Sequence, residues 1–288
     1  MSRLPSLRVV ALYVALACVQ PGNALADSPT VRIRHVSLMS AEPLPVEVLK
    51  LAERYFTDHS FPSSSLRAES TKMARRFYIR AGYLDARVTA MSIERAPDGW
   101  LDLQFEVHAG KLYHYSTVGA TGTTVFKPAE LVAMMKLKPG ESVNTWRMLD
   151  GLSTIREKYF CRGYLRAEAV PLATIDAAQQ AERLVIVMRE GARFRIAKVS
   201  SAMLNGPVAD VLLADPLLQP GEFFEPCEIT KAARRDISRE QAEKTPFTFS
   251  FSINSGTDTV DLRIETGFDF GYGEMGRGAG FGGGINVN

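Results

Sequence analysis

An internal repeat of 81 residues constrains this chain more than any other feature of its sequence. The segment Tyr78-Ile79-Arg80-Ala81-Gly82-Tyr83-Leu84-Asp85-Ala86 returns 81 positions later as Tyr159-Phe160-Cys161-Arg162-Gly163-Tyr164-Leu165-Arg166-Ala167. The same separation relates Leu103, Phe105, Val107 and Gly110 to Leu184, Ile186, Met188 and Gly191. It also relates Leu137-Lys138-Pro139-Gly140-Glu141 to Leu218-Gln219-Pro220-Gly221-Glu222. Three segments at one spacing mark tandem copies of one supersecondary unit, so the chain should fold as an array of like modules.

Each copy has the same internal order. In the first, Arg32 to Leu38 alternates as a short strand, and Pro43 to Tyr55 reads as a helix with Val46, Leu49, Ala52 and Tyr55 on one side. Leu66 to Ala81 reads as a second helix, closed by Gly82, which adopts the left-handed conformation without penalty. Leu84 to Ile93 is a strand, Asp98-Gly99 a turn, and Trp100 to Val107 a strand that alternates Leu101, Leu103, Phe105 and Val107 with polar residues. The second copy follows suit: strand Leu112 to Val118, helices Pro128 to Met135 and Trp146 to Arg162, and strands Leu165 to Ile175 and Arg183 to Met188. The third runs from Arg193 through a short helix at Val208 to Leu213 and a long one at Pro226 to Ala242. It ends in a hairpin of Phe247 to Ile253 and Thr259 to Glu265, turned at Asn254-Ser255-Gly256. The unit is β-α-α-β-β, an α+β fold in which two helices cover one face of a three-stranded sheet.

A β-α-α-β-β unit carrying Tyr-x-x-x-Gly-Tyr-x-x-Ala between helix and hairpin resembles the POTRA domain. This is the periplasmic module of outer-membrane assembly factors of the BamA and TamA type. Tyr78 to Ala86, Tyr159 to Ala167, the strand-ending Gly110 and Gly191, and Leu137 to Glu141 carry the resemblance over residues 31–191. Over 192–267 it is weaker, because Glu243-Lys244-Thr245-Pro246 stands where the tyrosine-glycine element should be. The expected organisation is a first module at 27–110, a second at 111–191, a divergent third at 192–267 and a glycine-rich, disordered tail at 268–288. Such factors carry a membrane barrel after their modules. Here 21 residues follow Gly267, far fewer than the hundred or more of an eight-stranded barrel, so the expectation is the periplasmic arm without the barrel. The resemblance implies a scaffold that assists outer-membrane protein assembly or secretion. Its partners would be an outer-membrane barrel protein, an unfolded client polypeptide or other envelope assembly components. A structural, divisome-type envelope protein that docks partners through such modules is the alternative.

The N-terminus reads as an export leader. Arg3 and Arg8 precede an apolar run from Val9 to Val19, and Ala24-Leu25-Ala26 supplies a small-x-small cleavage pattern, which puts the leader at 1–26. Ala15-Leu16-Ala17-Cys18 is a weaker, lipoprotein-like rival, in which Cys18 would be lipidated. The expected location is therefore the periplasm, with peripheral association with the outer membrane left open. Of the remaining cysteines, Cys161 and Cys227 fit either one disulfide or two buried thiols.

Charge and motifs exclude other classes. With 34 basic and 32 acidic side chains the net charge is +2, without the basic excess of a nucleic-acid binder. The four histidines, His35, His59, His108 and His114, stand apart from the cysteines, so no metal site is expected. No nucleophile elbow, Walker loop or His-Glu-x-x-His occurs, and neither an enzyme nor a cofactor is expected.

What the sequence offers instead is sheet edges, whose unpaired backbone groups are templates for another chain. The candidate binding strand carries Leu84, Ala86, Val88, Ala90 and Ile93. The equivalent Leu165 to Ile175 is interrupted by Pro171, which removes a donor. Tyr78, Tyr83, Tyr159 and Tyr164 are expected as structural anchors, and Gly82, Gly110, Gly163 and Gly191 as hinge or turn positions. Each module junction is short: His108-Ala109-Gly110-Lys111, then Arg189-Glu190-Gly191-Ala192. Four residues reach about 14 Å at most, which predicts an elongated arrangement with limited bending at Gly110 and Gly191. Solution scattering on residues 27–288 should give a radius of gyration well above the ~18 Å of a globule of this size. A value at the globular figure would rule the elongated arrangement out.

Overall fold

A computed structural model describes residues 29–202, 206–245 and 247–266. The expected leader at 1–26, Cys18 and the glycine-rich tail at 268–288 lie outside the described residues. By packing, the chain divides into two compact units. Among the described residues, the first comprises 29–121, Pro128–Gly151 and Pro171–Ile186, and the second Gly122–Lys127, Leu152–Val170, 187–202, 206–245 and 247–266.

The first repeat holds β1 (Thr30–Met39), α1 (Val46–Asp58), β2 (Ser60–Pro62), α2 (Leu66–Arg80), β3 (Arg87–Arg95) and β4 (Leu101–His108). Its sheet has the order β2-β1-β4-β3, with β1 parallel to the central β4 and β3 antiparallel to it. The sheet is four-stranded where the sequence predicts three. Ser60-Phe61-Pro62, the link between the two helices, folds back as β2 and pairs antiparallel with the start of β1. Leu101, Leu103, Phe105 and Val107 turn one row of β4 into the core, where α1 contributes Val48, Ala52 and Phe56, and α2 contributes Leu66, Ala74, Phe77 and Tyr78. The buried stripe of α1 is thus Val48-Ala52-Phe56 and not the one predicted through Val46. Pro45 stands at the N-cap, and Val46 is left exposed at the helix start.

The second repeat supplies β5 (His114–Thr121), α3 (Pro128–Met135), α4 (Thr145–Cys161), β6 (Glu168–Asp176) and β7 (Ala181–Arg189), with sheet order β5-β7-β6. The third supplies β8 (Arg195–Ala202), α5 (Pro207–Ala214), α6 (Pro226–Asp236), α7 (Arg239–Lys244), β9 (Phe247–Ile253) and β10 (Thr259–Thr266), with sheet order β8-β10-β9. Again the last strand is central, parallel to the first and antiparallel to its hairpin partner. Pro128, Pro207 and Pro226 open their helices, where a missing N–H costs nothing. The helix predicted over Pro226 to Ala242 is two helices. Ile237 is extended, and Ser238 restarts the helix with a reciprocal capping box to Gln241.

Cys161, the last residue of α4, is joined to Cys227 in the first turn of α6, both within the second unit. The open choice between a disulfide and two thiols is thereby resolved as a disulfide.

Candidate functional site

The strand predicted from Leu84 begins at Arg87. Leu84 and Ala86 lie in the turn before it, where the Ala86 N–H bonds the Tyr83 carbonyl. The ladder decides which groups β3 presents outward. The Ala96 N–H donates to the Trp100 carbonyl, so that pair is hydrogen-bonded, and every second pair along the ladder is too. Ala90, Ser92 and Glu94 therefore point their backbone groups at β4, while Met91, Ile93 and Arg95 point theirs away from it. A register shift between Val88 and Ala90 marks a bulge, and the Thr89 hydroxyl donates to the Glu106 carbonyl. The usable edge is thus Met91 to Arg95. Of the five residues expected to bind, Ile93 alone lies on it with outward groups. The period of two that sorts side chains does not say which residues bond to the neighbour.

The outward carbonyl of Met91 accepts from Arg67 Nη1 at 3.0 Å, and the Ala86 carbonyl at the mouth of the strand accepts from Arg75 Nε at 2.7 Å. Thr71 lies between them on α2, with its hydroxyl 3.5 Å from the Met91 sulfur. Positions 67, 71 and 75 are one i, i+4 row, so α2 sets a row of donors beside the β3 edge. Nothing in the sequence pattern singled out these arginines. Their partners are backbone carbonyls 24 and 11 residues away.

The tyrosine-glycine elements occupy a second kind of place. Gly82 and Gly163 have φ of 100° and 81°, in the left-handed region. The Gly82 carbonyl accepts the Tyr113 N–H, and the Gly163 carbonyl accepts the Phe194 N–H, again 81 residues apart. A methyl group at Gly82 would lie 2.6 Å from the Val143 carbonyl oxygen, and one at Gly163 would press likewise on that of Phe224. These glycines are required because the backbone of the following repeat docks on them as well as for their dihedral angles. The pair behind each contact changes chemistry between copies. The Tyr113 hydroxyl donates to Asp85 at 2.8 Å, whereas at the equivalent places Arg166 stacks over Phe194. Gly110 and Gly191 also have positive φ, of 76° and 67°.

Tyr78 and Tyr159 are fully buried, and Tyr83 and Tyr164 meet them edge to face at centroid distances of 6.0 and 5.9 Å. The Tyr159 hydroxyl donates to Glu190 at 2.7 Å, and the same carboxylate accepts from the Thr124 and Val125 N–H groups and the Thr123 and Thr124 hydroxyls. Burial pushes the Glu190 carboxyl up, but this ring of donors outweighs it and brings the group down to about 2. The first repeat lacks the arrangement. Ala109 stands in place of Glu190, and the buried Tyr78 hydroxyl has no hydrogen-bond partner among the described residues. Ser40 is near enough to offset part of the upward push of burial on its ionisation without closing a bond of proper geometry. Tyr159→Phe is accordingly expected to cost about 1–2 kcal/mol and Tyr78→Phe nothing, or to stabilise slightly. Urea unfolding of both variants checks this, and equal losses would refute the assignment.

Glu182 is the other buried acid. It lies on β7, 6 % exposed, in the row that turns Leu184, Ile186 and Met188 inward. Its counterpart in the first repeat is Leu101, and Val260 holds the same place at the start of the inward row of β10. Burial pushes its carboxyl up to about 7. Across the sheet Tyr115 is buried where the third repeat has Ile196, with its hydroxyl on the Asn144 backbone. The 81-residue alignment carries the signal that could have found Glu182, an acid aligned with a leucine.

Among the described residues no three His, Cys, Asp or Glu side chains form a group that could hold a metal ion, and no helix is long and apolar enough to cross a membrane.

Comparison with known proteins bears on this geometry. No family model matches the chain. A putative outer membrane protein assembly factor of Treponema pallidum is 26% identical over 186 residues, covering 63% of this chain and 22% of that protein. The outer membrane protein assembly factor BamA of Nitratidesulfovibrio vulgaris is 22% identical over 260 residues, covering 86% of this chain and 32% of that protein. The chain thus spans a fifth to a third of the length of these relatives. Among solved structures, POTRA domains 3–5 of BamA from Haemophilus influenzae superpose with a TM-score of 0.55 at 14% identity, over 85% of this chain and 100% of that one. The fold is therefore that of tandem POTRA domains.

Proposed function

We propose that this chain is a non-enzymatic periplasmic scaffold in outer-membrane protein assembly or secretion, and that it holds extended polypeptide by adding a strand to the β3 edge. The observation that carries the reading is the run from Met91 to Arg95, where three residues present both backbone groups away from the sheet. Strand addition draws its affinity from such groups and needs no pocket. Both curated relatives are named as outer-membrane protein assembly factors. The Cys161–Cys227 disulfide supports an oxidising compartment. The equivalent edge β6 contains Pro171, which makes it the poorer acceptor.

A photo-crosslinker placed at Ile93 in the full chain should form adducts with an added unfolded outer-membrane barrel polypeptide. The same probe at Gln104, on the central β4, should form few. Equal yields at the two places, or none at Ile93, would remove the β3 edge from the proposal.

A further inference from the structure

We infer that the β3 edge selects acidic extended segments, and that α2 is the element that selects them. The inference rests on the strand-addition reading and deepens it by naming the partner's chemistry. Over its 15 residues α2 carries Arg67, Lys72, Arg75, Arg76 and Arg80 against the single acid Glu69. The chain as a whole is near balance, so this helix concentrates the positive charge of its surroundings. β3 adds Arg87 and Arg95 against Glu94.

Arg80 lies over the Trp146 ring, but the charges of α2 are not paired with acids. In α1, Lys50 pairs with Glu47 and Arg54 with Asp58; in α6, Lys231 pairs with Glu228. Among the described residues none of the five basic side chains of α2 is in a salt bridge. Arg67 and Arg75 are instead hydrogen-bonded to carbonyl groups of β3 and its mouth, which places the Arg67 guanidinium where an added strand would lie and that of Arg75 at its entrance. An incoming N–H would take the Met91 carbonyl from Arg67, and the freed guanidinium would then meet the added strand's side chains. A carboxylate there makes a charge-assisted bond, whereas a lysine leaves two cations in contact. Lys72 and Arg76 are exposed on the back of the same helix. They lie within a helix diameter of about 10 Å, near the Debye length, so they add a smaller, salt-sensitive part of the field. A membrane surface would also meet these cations, but it would not account for Arg67 being fastened to the edge strand's backbone and Arg75 to the turn that leads into it.

The test uses the full chain and three nine-residue peptides, matched in length to β3, with one apolar alternation and Glu, Gln or Lys at the polar positions. Affinity is read by fluorescence anisotropy and position by crosslinking from Ile93. The Glu peptide should bind at least about tenfold more tightly than the Lys peptide, and the gap should close as salt is raised toward about 1 M. Arg67→Glu should narrow or reverse the preference. The exposed pair Lys72→Glu with Arg76→Glu, which touches no backbone carbonyl, should narrow it without affecting the fold. If all three peptides crosslink at Ile93 with equal affinity, strand addition stands and the acidic preference is overturned. If none crosslinks there, the edge reading falls and this inference with it. Binding to vesicles of anionic phosphatidylglycerol with no preference among peptides would overturn the assignment in favour of a lipid surface.

Discussion

Loss of the Cys161–Cys227 bond, by reduction or by the paired change Cys161→Ser with Cys227→Ser, is expected to lower the stability of the second unit by about 4 kcal/mol. The bond closes a loop of 66 residues. Chain entropy gives about 4 kcal/mol for a loop of that length, within a general range of ~2–5. The effect acts through the unfolded chain, which regains the freedom the bond had removed. The folded contacts around it, including Phe160 against Phe251 and Arg193 paired with Glu225, remain available to the reduced protein. Urea unfolding with and without reductant should therefore show a lower midpoint for the reduced protein, with little change in its folded-state spectrum. A loss below about 1 kcal/mol would mean that the reduced, unfolded chain retains structure equivalent to the bond.

Replacing Glu182 with leucine, the residue of the first repeat at that position, is expected to stabilise the protein by about 3 kcal/mol at pH 8 and much less at pH 4. The carboxyl titrates near 7 when folded, against a reference of 4.5. Below pH 4.5 both folded and unfolded chains hold the proton, and the group imposes no charge penalty. Between 4.5 and 7 the unfolded chain releases its proton first, so it binds fewer protons and stability falls as pH rises. Above 7 the folded protein must carry a buried carboxylate, and the penalty is complete. Two and a half pH units at about 1.4 kcal/mol each give the expected magnitude. Denaturant unfolding of the wild type and Glu182→Leu across pH 4–8 separates this from a packing effect, which would be the same at every pH. A pH-independent difference would show that the Glu182 carboxyl binds its proton equally in the folded and unfolded chains, and would overturn the burial penalty.

The two acids show how differently burial resolves. Glu190 sits inside a ring of five donors and is ionised well into acid, whereas Glu182 shares its buried row with Leu184, Ile186 and Met188 and stays protonated toward neutrality. Neither outcome follows from the residue type. Both follow from which groups the fold brings opposite it.

Much of the architecture could be read from the residues. Alternation of Leu101, Leu103, Phe105 and Val107 located β4, the 81-residue spacing then located β7, and the Asn254-Ser255-Gly256 turn located the hairpin of β9 and β10. Helix starts followed Pro128, Pro207 and Pro226. The miss at Ile237 had a readable cause, since Ser238 and Gln241 have capping-box spacing. The miss at β2 did not. Three residues carry too little periodicity to declare a strand, and Phe61 pairs with β1 only because α1 returns the chain to it. Of the candidate binding residues, Val88, Ala90 and Ile93 fall on β3. The register was not legible, because Leu84 and Ala86 belong to the turn and the bulge at Thr89 resets the pairing.

The sequence by itself determined the repeat, the order of elements within it, the buried row of each central strand and the glycines at each turn. All of these are set by neighbours within a few residues, where periodicity and dihedral preference act. The tertiary structure decided the rest: that Cys161 meets Cys227, that Tyr159 finds Glu190 while Tyr78 finds no partner, that Glu182 faces Tyr115, and that Arg67 lies on the outward carbonyl of Met91. Each of these joins residues well separated in sequence. Their pairing depends on how strands and helices dock, and docking is governed by the packing of whole faces, which no local spacing records.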